Sequence, residues 1–223
     1  MPEVIFAGPD GRLEGRFHPA KKKNAPIALI LHPHPQFGGS MNNQICYQLY
    51  YAFAKRGFAA LRFNFRGVGR SQGSFDHGDG ELADAAAALD WAQTIMPDSR
   101  GTWIAGFSFG AWIGMQLLMR RPEVEGFLSI SAQPNIYDFT FLAPCPSSGA
   151  FFHGGSDNVS PHATVLDLMG KVKTQKGITI DQRVIPGANH FFENKVNDLM
   201  EDVRIYLNEQ LGPDEQLDRA EEE

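Results

Sequence analysis

The amino-acid sequence predicts an α/β fold, a mostly parallel sheet of about eight strands with helices on both faces. Short runs of β-branched and aromatic residues alternate along the chain with longer helical segments, which is typical of such a sheet. Residues 26–32 are nearly all apolar, as expected of a strand that is buried on both faces. With 223 residues, of which 43% are hydrophobic and 21% charged, the chain has the composition of a globular protein with one sizeable core.

The first half of the chain contains the elements that open the sheet. Two β-type runs, 4–7 and 12–18, flank a Gly-Pro-Asp-Gly turn and predict an antiparallel hairpin. After the buried strand, a helical segment over 42–55 ends at a glycine, a residue that favours the left-handed conformation of helix ends. A strand over 58–65 follows and leads into a glycine-rich loop, 66–73.

The second half repeats the alternation of helix and strand. An alanine-rich helix over 82–95 ends before Pro97, and the strand over 102–107 leads without a break into a helix over 109–120. The remaining predicted elements are strands over 126–131, 149–153 and 178–185 and helices over 161–172 and 191–211.

We expect one domain over residues 1–211, followed by a disordered acidic tail over residues 212–223. The tail carries six acidic residues and one arginine, so it contributes −5 to the net charge of −6 and leaves the body near −1. A body so close to neutral has no broad basic face, and we therefore expect no nucleic-acid partner.

The sequence also bears on the compartment. No apolar run approaches the roughly 18–20 residues that cross a bilayer, and the first residues lack the basic start and apolar stretch of a signal peptide. We therefore expect a cytoplasmic protein with no membrane partner, in which Cys46 and Cys145 are reduced thiols. The sequence leaves open whether the chain forms a homodimer.

One short motif indicates chemistry. The segment Gly106-Phe107-Ser108-Phe109-Gly110 matches G-x-S-x-G at the junction of a predicted buried strand and a helix. A serine on such a tight turn needs small residues two positions to either side, so that strand and helix can approach each other. Its hydroxyl then lies at a helix N-terminus, where the N–H of Phe109 and the helix dipole face a developing oxyanion. The alternative is a purely structural strand-to-helix turn.

A nucleophilic serine needs a base and an acid that orients the base. Asp157 lies in the loop after the strand over 149–153, and His190 lies in the loop after the strand over 178–185. All three residues therefore lie at the carboxyl ends of parallel strands, the edge where open α/β sheets bind ligands, and their order Ser-Asp-His fits this topology. Taken alone, Asp157 could be a helix N-cap and His190 a structural histidine. Asp181 is a weaker candidate for the orienting acid, because it lies within a strand.

These motifs resemble those of the α/β-hydrolase superfamily over nearly the whole chain, from about residue 4 to residue 211. More narrowly, the chain is similar to small, lid-less bacterial serine esterases related to dienelactone hydrolases and to the catalytic domain of prolyl oligopeptidases. The similarity rests on LHPHPQFGG (31–39), FNFRGVGRSQG (63–73), GFSFG (106–110), HGGSDNVSP (153–161) and PGANHFF (186–192). It implies the α/β-hydrolase fold and a Ser–His–Asp mechanism that needs no cofactor. Dienelactone hydrolases usually carry a cysteine where this chain has Ser108, which argues against dienelactones as substrates.

The loop over 32–39 is the expected source of a second oxyanion donor. The family commonly shows His-Gly-X there, with X donating, and this chain has His-Pro instead, so the resemblance assigns the donor to His34. Pro33 and Pro35 have no N–H, which leaves His34 as the donor between them, with Gln36 and Phe37 in reserve. The prolines also stiffen the loop, as suits a preorganised donor.

The sequence does not support two further kinds of site. His32 and His34 could suggest a metal site, but no third ligand is spaced nearby, so we predict no metal and a structural role for His32 at the strand end. The glycine-rich loop over 66–73 follows the fourth strand and lacks a Walker lysine, so we predict no nucleotide site.

The chain leaves little room for a lid. About 17 residues, 132–148, join the two strands between which this fold typically carries an insertion, so we expect no cap domain and an open, shallow site. Tyr137 and Phe139 could form a wall of the acyl pocket, and Gln36 and Phe37 are further candidates for the same pocket. Core packing is the alternative for the aromatic side chains.

Together these features predict a serine hydrolase that cleaves small or short-chain carboxylic esters through an acyl-enzyme intermediate. Ser108 is the expected nucleophile, His190 the base and acid, and Asp157 the residue that orients His190. A thioesterase or amidase with the same three residues, and a non-catalytic binding protein on the same scaffold, remain as alternatives.

Overall fold

A computed structural model describes residues 2–172 and 177–212 of the chain. Among these residues, eight strands form one sheet in the order β1-β2-β4-β3-β5-β6-β7-β8. The strands are β1 (Glu3–Gly8), β2 (Gly11–His18), β3 (Ile27–Leu31), β4 (Ala59–Phe63), β5 (Thr102–Phe107), β6 (Val124–Ile130), β7 (Ser148–Gly154) and β8 (Ile180–Ile185). The pairs β1–β2 and β2–β4 are antiparallel, and every other pair is parallel. The predicted hairpin and the mostly parallel sheet are therefore confirmed.

Helices cover both faces of the sheet. They are α1 (Gln44–Lys55), α2 (Asp79–Ile95), α3 (Phe109–Leu118), α4 (His162–Val172) and α5 (Val196–Leu211). Side chains of α1 and α5 pack on one face, and side chains of α2, α3 and α4 pack on the other. The alternation of side chains along β3 explains this division. Leu29 and Leu31 pack with the side chains of α2, α3 and α4, and Ala28 and Ile30 pack with those of α1 and α5. None of the described helices has the length and apolarity needed to span a membrane.

The last helix begins later than predicted. The sequence predicts a helix from residue 191, but α5 starts at Val196. Residues 191–195 form turns instead, because Phe192 and Asn194 have φ values of 52° and 59°, which an α-helix does not allow. The Asn189 carboxamide also accepts hydrogen bonds from the N–H groups of Phe191 and Glu193 at 3.1 Å, which holds these turns in place.

Two other helices differ at their starts from the predicted bounds. Helix α1 begins at Gln44 rather than at 42, because the Asn43 side chain accepts hydrogen bonds from the first N–H groups of the helix. Helix α2 begins at Asp79 rather than at 82, because the Glu81 carboxylate accepts hydrogen bonds from the N–H groups of Asp76 and Gly78 and extends the helix by a turn.

The connection between β6 and β7 is short, in line with the predicted lack of a cap. Residues 131–147 contain one 3-10 helix, Thr140–Leu142, and otherwise turns and extended backbone. Cys46 and Cys145 are both buried and are not joined by a disulfide. Of the acidic tail, residues 213–223 lie outside the described residues, so the proposed division into a domain and a tail stays a prediction.

Candidate active site

Ser108 lies on the turn between β5 and α3, in a backbone conformation that is rare for a residue with a side chain. Its φ is 57° and its ψ is −115°. Such a turn brings the strand and the helix close together, and this explains the two glycines of the motif. A Cβ on Gly106 would collide with the carbonyl of Gly110, and a Cβ on Gly110 would collide with the carbonyl of Leu31.

The side chains of Ser108, His190 and Asp157 form a continuous chain of hydrogen bonds. The Oγ atom of Ser108 lies 3.0 Å from Nε2 of His190, and Nδ1 of His190 lies 2.8 Å from Oδ2 of Asp157. All three side chains are buried, and Ser108 is 6% exposed. The structure therefore brings together the three residues that the sequence predicted as a site. With Nδ1–H donated to Asp157, Nε2 is free to accept the proton of the serine.

Asp157 uses its two carboxylate oxygens for different purposes. Oδ1 accepts hydrogen bonds from the N–H groups of Val159 and Ser160, each at 2.8 Å, while Oδ2 faces His190. The turn-capping contact and the contact with His190 therefore coexist. Burial opposes ionisation of this carboxyl, but the hydrogen bonds from His190 and from the Ser160 N–H outweigh burial and hold the pKa of Asp157 below its ordinary value. Asp157 is thus a carboxylate at neutral pH.

The loops after β7 and β8 meet through backbone contacts. The N–H of Gly155 donates to the carbonyl of Ile185, and the N–H of Ser156 donates to the carbonyl of Ala188, both at 2.9 Å. A Cβ on Gly154 would clash with the Ala188 carbonyl, so this position must be glycine for the loops to approach. The alternative acid, Asp181, lies on β8 and forms an ion pair with Arg183 at 2.8 Å.

The loop that follows β3, residues 32–39, is called the β3 loop below. Its candidate donors differ in what they already bind. The N–H of Gln36 donates to Nδ1 of His34 at 3.2 Å, and the N–H of Phe37 donates to the carbonyl of His34 at 3.1 Å. The N–H groups of His34 and Phe109 have no acceptor among the described residues. The rings of these two residues lie 5.1 Å apart, so the β3 loop packs against the start of α3.

His32 ties the β3 loop to the neighbouring strand. Its Nε2 accepts a hydrogen bond from the N–H of Phe65 at 3.0 Å, and its Nδ1 donates to the carbonyl of Pro33 at 2.6 Å. Both nitrogens are therefore occupied, as expected for a structural histidine. Burial lowers the pKa of His32 to about 4, so the ring is neutral at pH 7. Within the described part of the chain, no group of three metal-binding side chains converges.

Sequence reasoning missed the contacts that Ser131 and Gln133, directly after β6, make with the candidate site. Gln133 is 6% exposed, and its Oε1 lies 3.0 Å from Oγ of Ser108. The hydroxyl of Ser131 donates to the carbonyl of His190 at 2.9 Å, and the hydroxyl of Ser160 donates to the carbonyl of Ala132 at 2.8 Å. The position of this segment, directly after a parallel strand at the same edge of the sheet, was the available signal.

The predicted pocket residues occupy different environments. Gln36 and Phe37 are exposed on the β3 loop, and Phe37 is 85% exposed. Tyr137 is half-buried and stacks on Trp112 with ring centroids 4.6 Å apart, beside Phe109. Phe139 is 3% exposed and belongs to the core, so core packing accounts for most of its surface. The acyl-pocket assignment of these four residues stays a prediction.

Two cavities lie away from Ser108. One of about 290 Å³ lies between the β6–β7 connection and α4, and both Tyr137 and Phe139 line it. A larger cavity of about 840 Å³ lies near the amino ends of β3 and β4, at the opposite edge of the sheet from Ser108. Its cationic lining residues are Lys21, Lys22, Lys55, Arg56 and Arg100. Cavity size alone therefore does not identify the candidate site, whereas the hydrogen-bonded side chains do.

Comparison with known proteins gives matches over most of the chain. The sequence profile of the X-Pro dipeptidyl-peptidase (S15) family matches residues 16–179, a range that includes Ser108 and Asp157. The uncharacterized protein RP471 of Rickettsia prowazekii (strain Madrid E) is 49% identical over 211 residues, which are 93% of this chain and 89% of the relative.

Solved structures agree with this. ATU1826, a protein of unknown function from Agrobacterium tumefaciens, is 67% identical, with a TM-score of 0.93 over 94% of this chain and 96% of the other. XC6422 from Xanthomonas campestris, an α/β serine hydrolase without a lid, is 30% identical, with a TM-score of 0.83 over 94% of both chains. The predicted α/β-hydrolase fold is thereby confirmed. The chain belongs to the α/β-hydrolase superfamily, as a serine hydrolase of the family that the X-Pro dipeptidyl-peptidase (S15) profile describes.

Proposed function

We propose that this hydrolase is a serine carboxylesterase that cleaves small or short-chain carboxylic esters through an acyl-enzyme intermediate. The observation that carries the proposal is the chain of hydrogen bonds from Oγ of Ser108 through the His190 ring to Asp157, at 3.0 and 2.8 Å. In this arrangement a neutral imidazole can remove the serine proton while the adjacent carboxylate stabilises the imidazolium that forms.

The reaction then has two halves. In the first, Oγ of Ser108 attacks the ester carbonyl carbon, its proton passes to Nε2 of His190, and the carbonyl oxygen becomes an oxyanion. Collapse of this intermediate breaks the bond to the alcohol oxygen, which takes the proton from His190 and leaves. In the second half a water molecule gives its proton to His190, attacks the acyl carbon and releases the acid, and the proton returns to Ser108.

Two backbone donors are proposed to hold the oxyanion. The N–H groups of His34 and Phe109 have no acceptor among the described residues, and Phe109 begins α3, where the helix dipole is positive. Donors that are left unpaired in the resting protein can bind the charge that develops on the substrate without first breaking a bond. Gln36 and Phe37 are weaker candidates, because their N–H groups already bind within the β3 loop.

The short β6–β7 connection supports small substrates. It contains one 3-10 turn in place of a cap, so the ester approaches Ser108 from an open edge. Thioesters and amides, including the X-Pro peptides that name the matching family, would use the same three residues. They are therefore alternative substrates for one mechanism, and the substrate panel described below includes them.

The test is covalent labelling of the nucleophile combined with ester hydrolysis. A fluorophosphonate should label Ser108, as located by peptide mass mapping, and Ser108→Ala should abolish both labelling and the hydrolysis of p-nitrophenyl acetate. Ser129→Ala is the matched control, because Ser129 is also buried, on the neighbouring strand β6, and its hydroxyl makes no hydrogen bond among the described residues. Label on another serine, or full activity in Ser108→Ala, would refute the proposal.

A substrate panel separates the remaining alternatives. Acyl chains of increasing length, matched thioesters, and an X-Pro p-nitroanilide should be compared by kcat/KM. We expect the short-chain esters to be cleaved fastest. A higher kcat/KM for the thioester or for the anilide would make the protein a thioesterase or an amidase, with Ser108 still the nucleophile. If the protein is labelled at Ser108 but cleaves none of these substrates, a binding protein is favoured.

A further inference from the structure

Gln133 makes a contact that the proposed reaction does not require. Its Oε1 lies 3.0 Å from Oγ of Ser108, yet this hydroxyl has a single proton, which His190 needs to accept at Nε2. When the serine donates to His190, Oε1 of Gln133 has no proton to accept. A half-turn of the carboxamide would instead bring Nε2 of Gln133 to the serine oxygen, as a donor. In either orientation, at least one of the two amide hydrogens of Gln133 is not used by Ser108.

The amide hydrogens of Gln133 are available to a ligand. They have no acceptor among the described residues, and the nitrogen that carries them is not fully buried. The backbone that carries them is held firmly, because the carbonyl of Gln133 accepts hydrogen bonds from the N–H groups of Ile136 and Tyr137 at 3.0 and 2.9 Å. Unpaired side-chain donors on a firmly held backbone, beside a nucleophile, have the properties of a substrate contact.

The sheet order tells which part of a substrate these donors can reach. Strand β5, which carries Ser108, lies between β3 and β6. The β3 loop therefore approaches Ser108 from one side and Gln133 from the other. If the scissile carbonyl oxygen faces His34 and Phe109, Gln133 must meet a different atom of the substrate. An N–H donor requires an acceptor there. The bridging oxygen of the ester must face His190, which protonates it as the alcohol leaves, so the acceptor for Gln133 is a further oxygen close to the scissile group.

We propose that Gln133 is a specificity-determining residue that donates a hydrogen bond to a second oxygen of the substrate. The natural substrates would then be esters that carry a hydroxyl, ether, keto or amide oxygen near the scissile carbonyl, rather than purely hydrocarbon esters. This inference rests on the proposed function, since it assumes that Ser108 is acylated.

The experiment compares pairs of esters that differ by one oxygen. Methoxyacetate and butyrate esters of p-nitrophenol differ by an ether oxygen on the acyl side, and 2-methoxyethyl and butyl acetate differ by one on the alcohol side. Each kcat/KM is divided by the rate constant of alkaline hydrolysis, which removes differences in intrinsic reactivity. We expect the wild-type protein to favour the oxygen-bearing member of one pair by roughly 3- to 10-fold, the range of one neutral hydrogen bond.

Variants of Gln133 identify the source of that preference. In Gln133→Leu and in Gln133→Glu the amide donors are gone, so the preference should fall to about 1. Asn135→Leu is the control, because its carboxamide donates to the carbonyl of Val159 and not to Ser108, and it should keep the wild-type ratio. A variant that merely loosens Ser108 would slow both members of a pair equally and leave the ratio unchanged. The two Gln133 variants also guard against one of them failing to fold.

The outcomes separate this inference from the proposed function. If the wild-type protein is labelled at Ser108 and hydrolyses esters but treats both pairs alike, the Gln133 inference is wrong and the proposed function stands. The same conclusion follows if the preference survives in Gln133→Leu. If Ser108 is not labelled in the wild-type protein, the proposed function itself fails.

Discussion

The two sides of Ser108 differ in how their hydrogen-bonding groups are used. On one side, which we call the His190 arm, Asp157 and His190 bind each other, and the second oxygen of Asp157 binds two backbone N–H groups. On the other side, the β3 loop presents the N–H of His34, and α3 presents that of Phe109, neither with an acceptor among the described residues. One side is satisfied at rest, and the other is not.

This difference matches the charge that each side would meet. The His190 arm must hold a neutral imidazole in one orientation before any substrate arrives, which a satisfied network does. The β3 loop would meet a negative charge only in the transition state, so its donors serve best if they are fixed and unpaired. Stiffness comes from side-chain hydrogen bonds in the first case and from two prolines in the second.

The largest fall in kcat is expected from a substitution in the His190 arm. Asp157→Asn replaces the carboxylate that orients His190 by a carboxamide of the same shape. We expect kcat to fall on the order of 10⁴-fold with little change in KM, because the wrong imidazole tautomer then faces Ser108. Steady-state kinetics with p-nitrophenyl acetate measure this, and circular dichroism checks the fold.

Asp181→Asn is the matched control for that variant. Asp181 is paired with Arg183 on β8, so its loss should leave kcat near the wild-type value. If Asp181→Asn were the inactive variant and Asp157→Asn the active one, the orienting role would belong to Asp181.

The next largest fall in kcat is expected from a substitution in the β3 loop. His34→Pro deletes the backbone N–H while keeping the backbone angle, since φ of His34 is −51°, within the range of proline. Loss of one oxyanion donor should lower kcat by roughly 10²- to 10³-fold. A crystal structure with a phosphonate on Ser108 provides a direct check. The phosphonyl oxygen should lie about 2.7–3.1 Å from the amide nitrogens of His34 and Phe109. An oxygen held by Gln36 or Phe37 would overturn the assignment.

A third prediction concerns the acid stability of the β3 loop through His32. Burial lowers the pKa of this histidine from its ordinary value of 6.5 to about 4, so the unfolded chain binds the proton more readily than the folded one. The contribution of His32 to stability is therefore complete above pH 6.5 and is lost as the pH falls toward 4. By linkage this loss is about 2–3 kcal/mol between pH 7 and pH 4.5.

Urea unfolding at the two pH values measures this loss. His32→Gln should be less stable than the wild-type protein at pH 7 but should lose about 2–3 kcal/mol less on acidification. An equal loss in both proteins would show that other groups carry the acid sensitivity.

The smallest fall in kcat is expected when the side chain of His34 is removed and its backbone N–H is kept. His34→Ala keeps the backbone N–H but removes the ring that accepts a hydrogen bond from Gln36 and packs against Phe109. Loss of one such exposed hydrogen bond should lower kcat by only a few-fold. A loss comparable to that of His34→Pro would mean that the imidazole itself acts on the substrate.

Much of the site could be predicted because strand ends are visible in a sequence. Ser108 and Asp157 follow largely apolar strands, and His190 follows β8, which mixes apolar and polar residues. Parallel strands bring their carboxyl ends to one edge. Helix starts were harder to predict. Helix α5 begins five residues later than expected, because Asn189 captures the N–H groups of Phe191 and Glu193. The apolar periodicity does not report such a local competition for donors.

By itself, the sequence determined the fold class, the antiparallel hairpin and the edge of the sheet on which Ser108, Asp157 and His190 lie. These follow from local patterns of apolar residues, glycines and turns, together with the topology that such patterns allow. Only the tertiary structure decided that Gln133 contacts Ser108 and that His32 accepts the N–H of Phe65. It also decided that, within the described part of the chain, the N–H of His34 has no acceptor while those of Gln36 and Phe37 have one. The first two join residues that are 25 and 33 positions apart, and the third depends on the path of the loop backbone. Which donor meets which acceptor depends on packing between elements, and that arrangement exists only once the chain is folded.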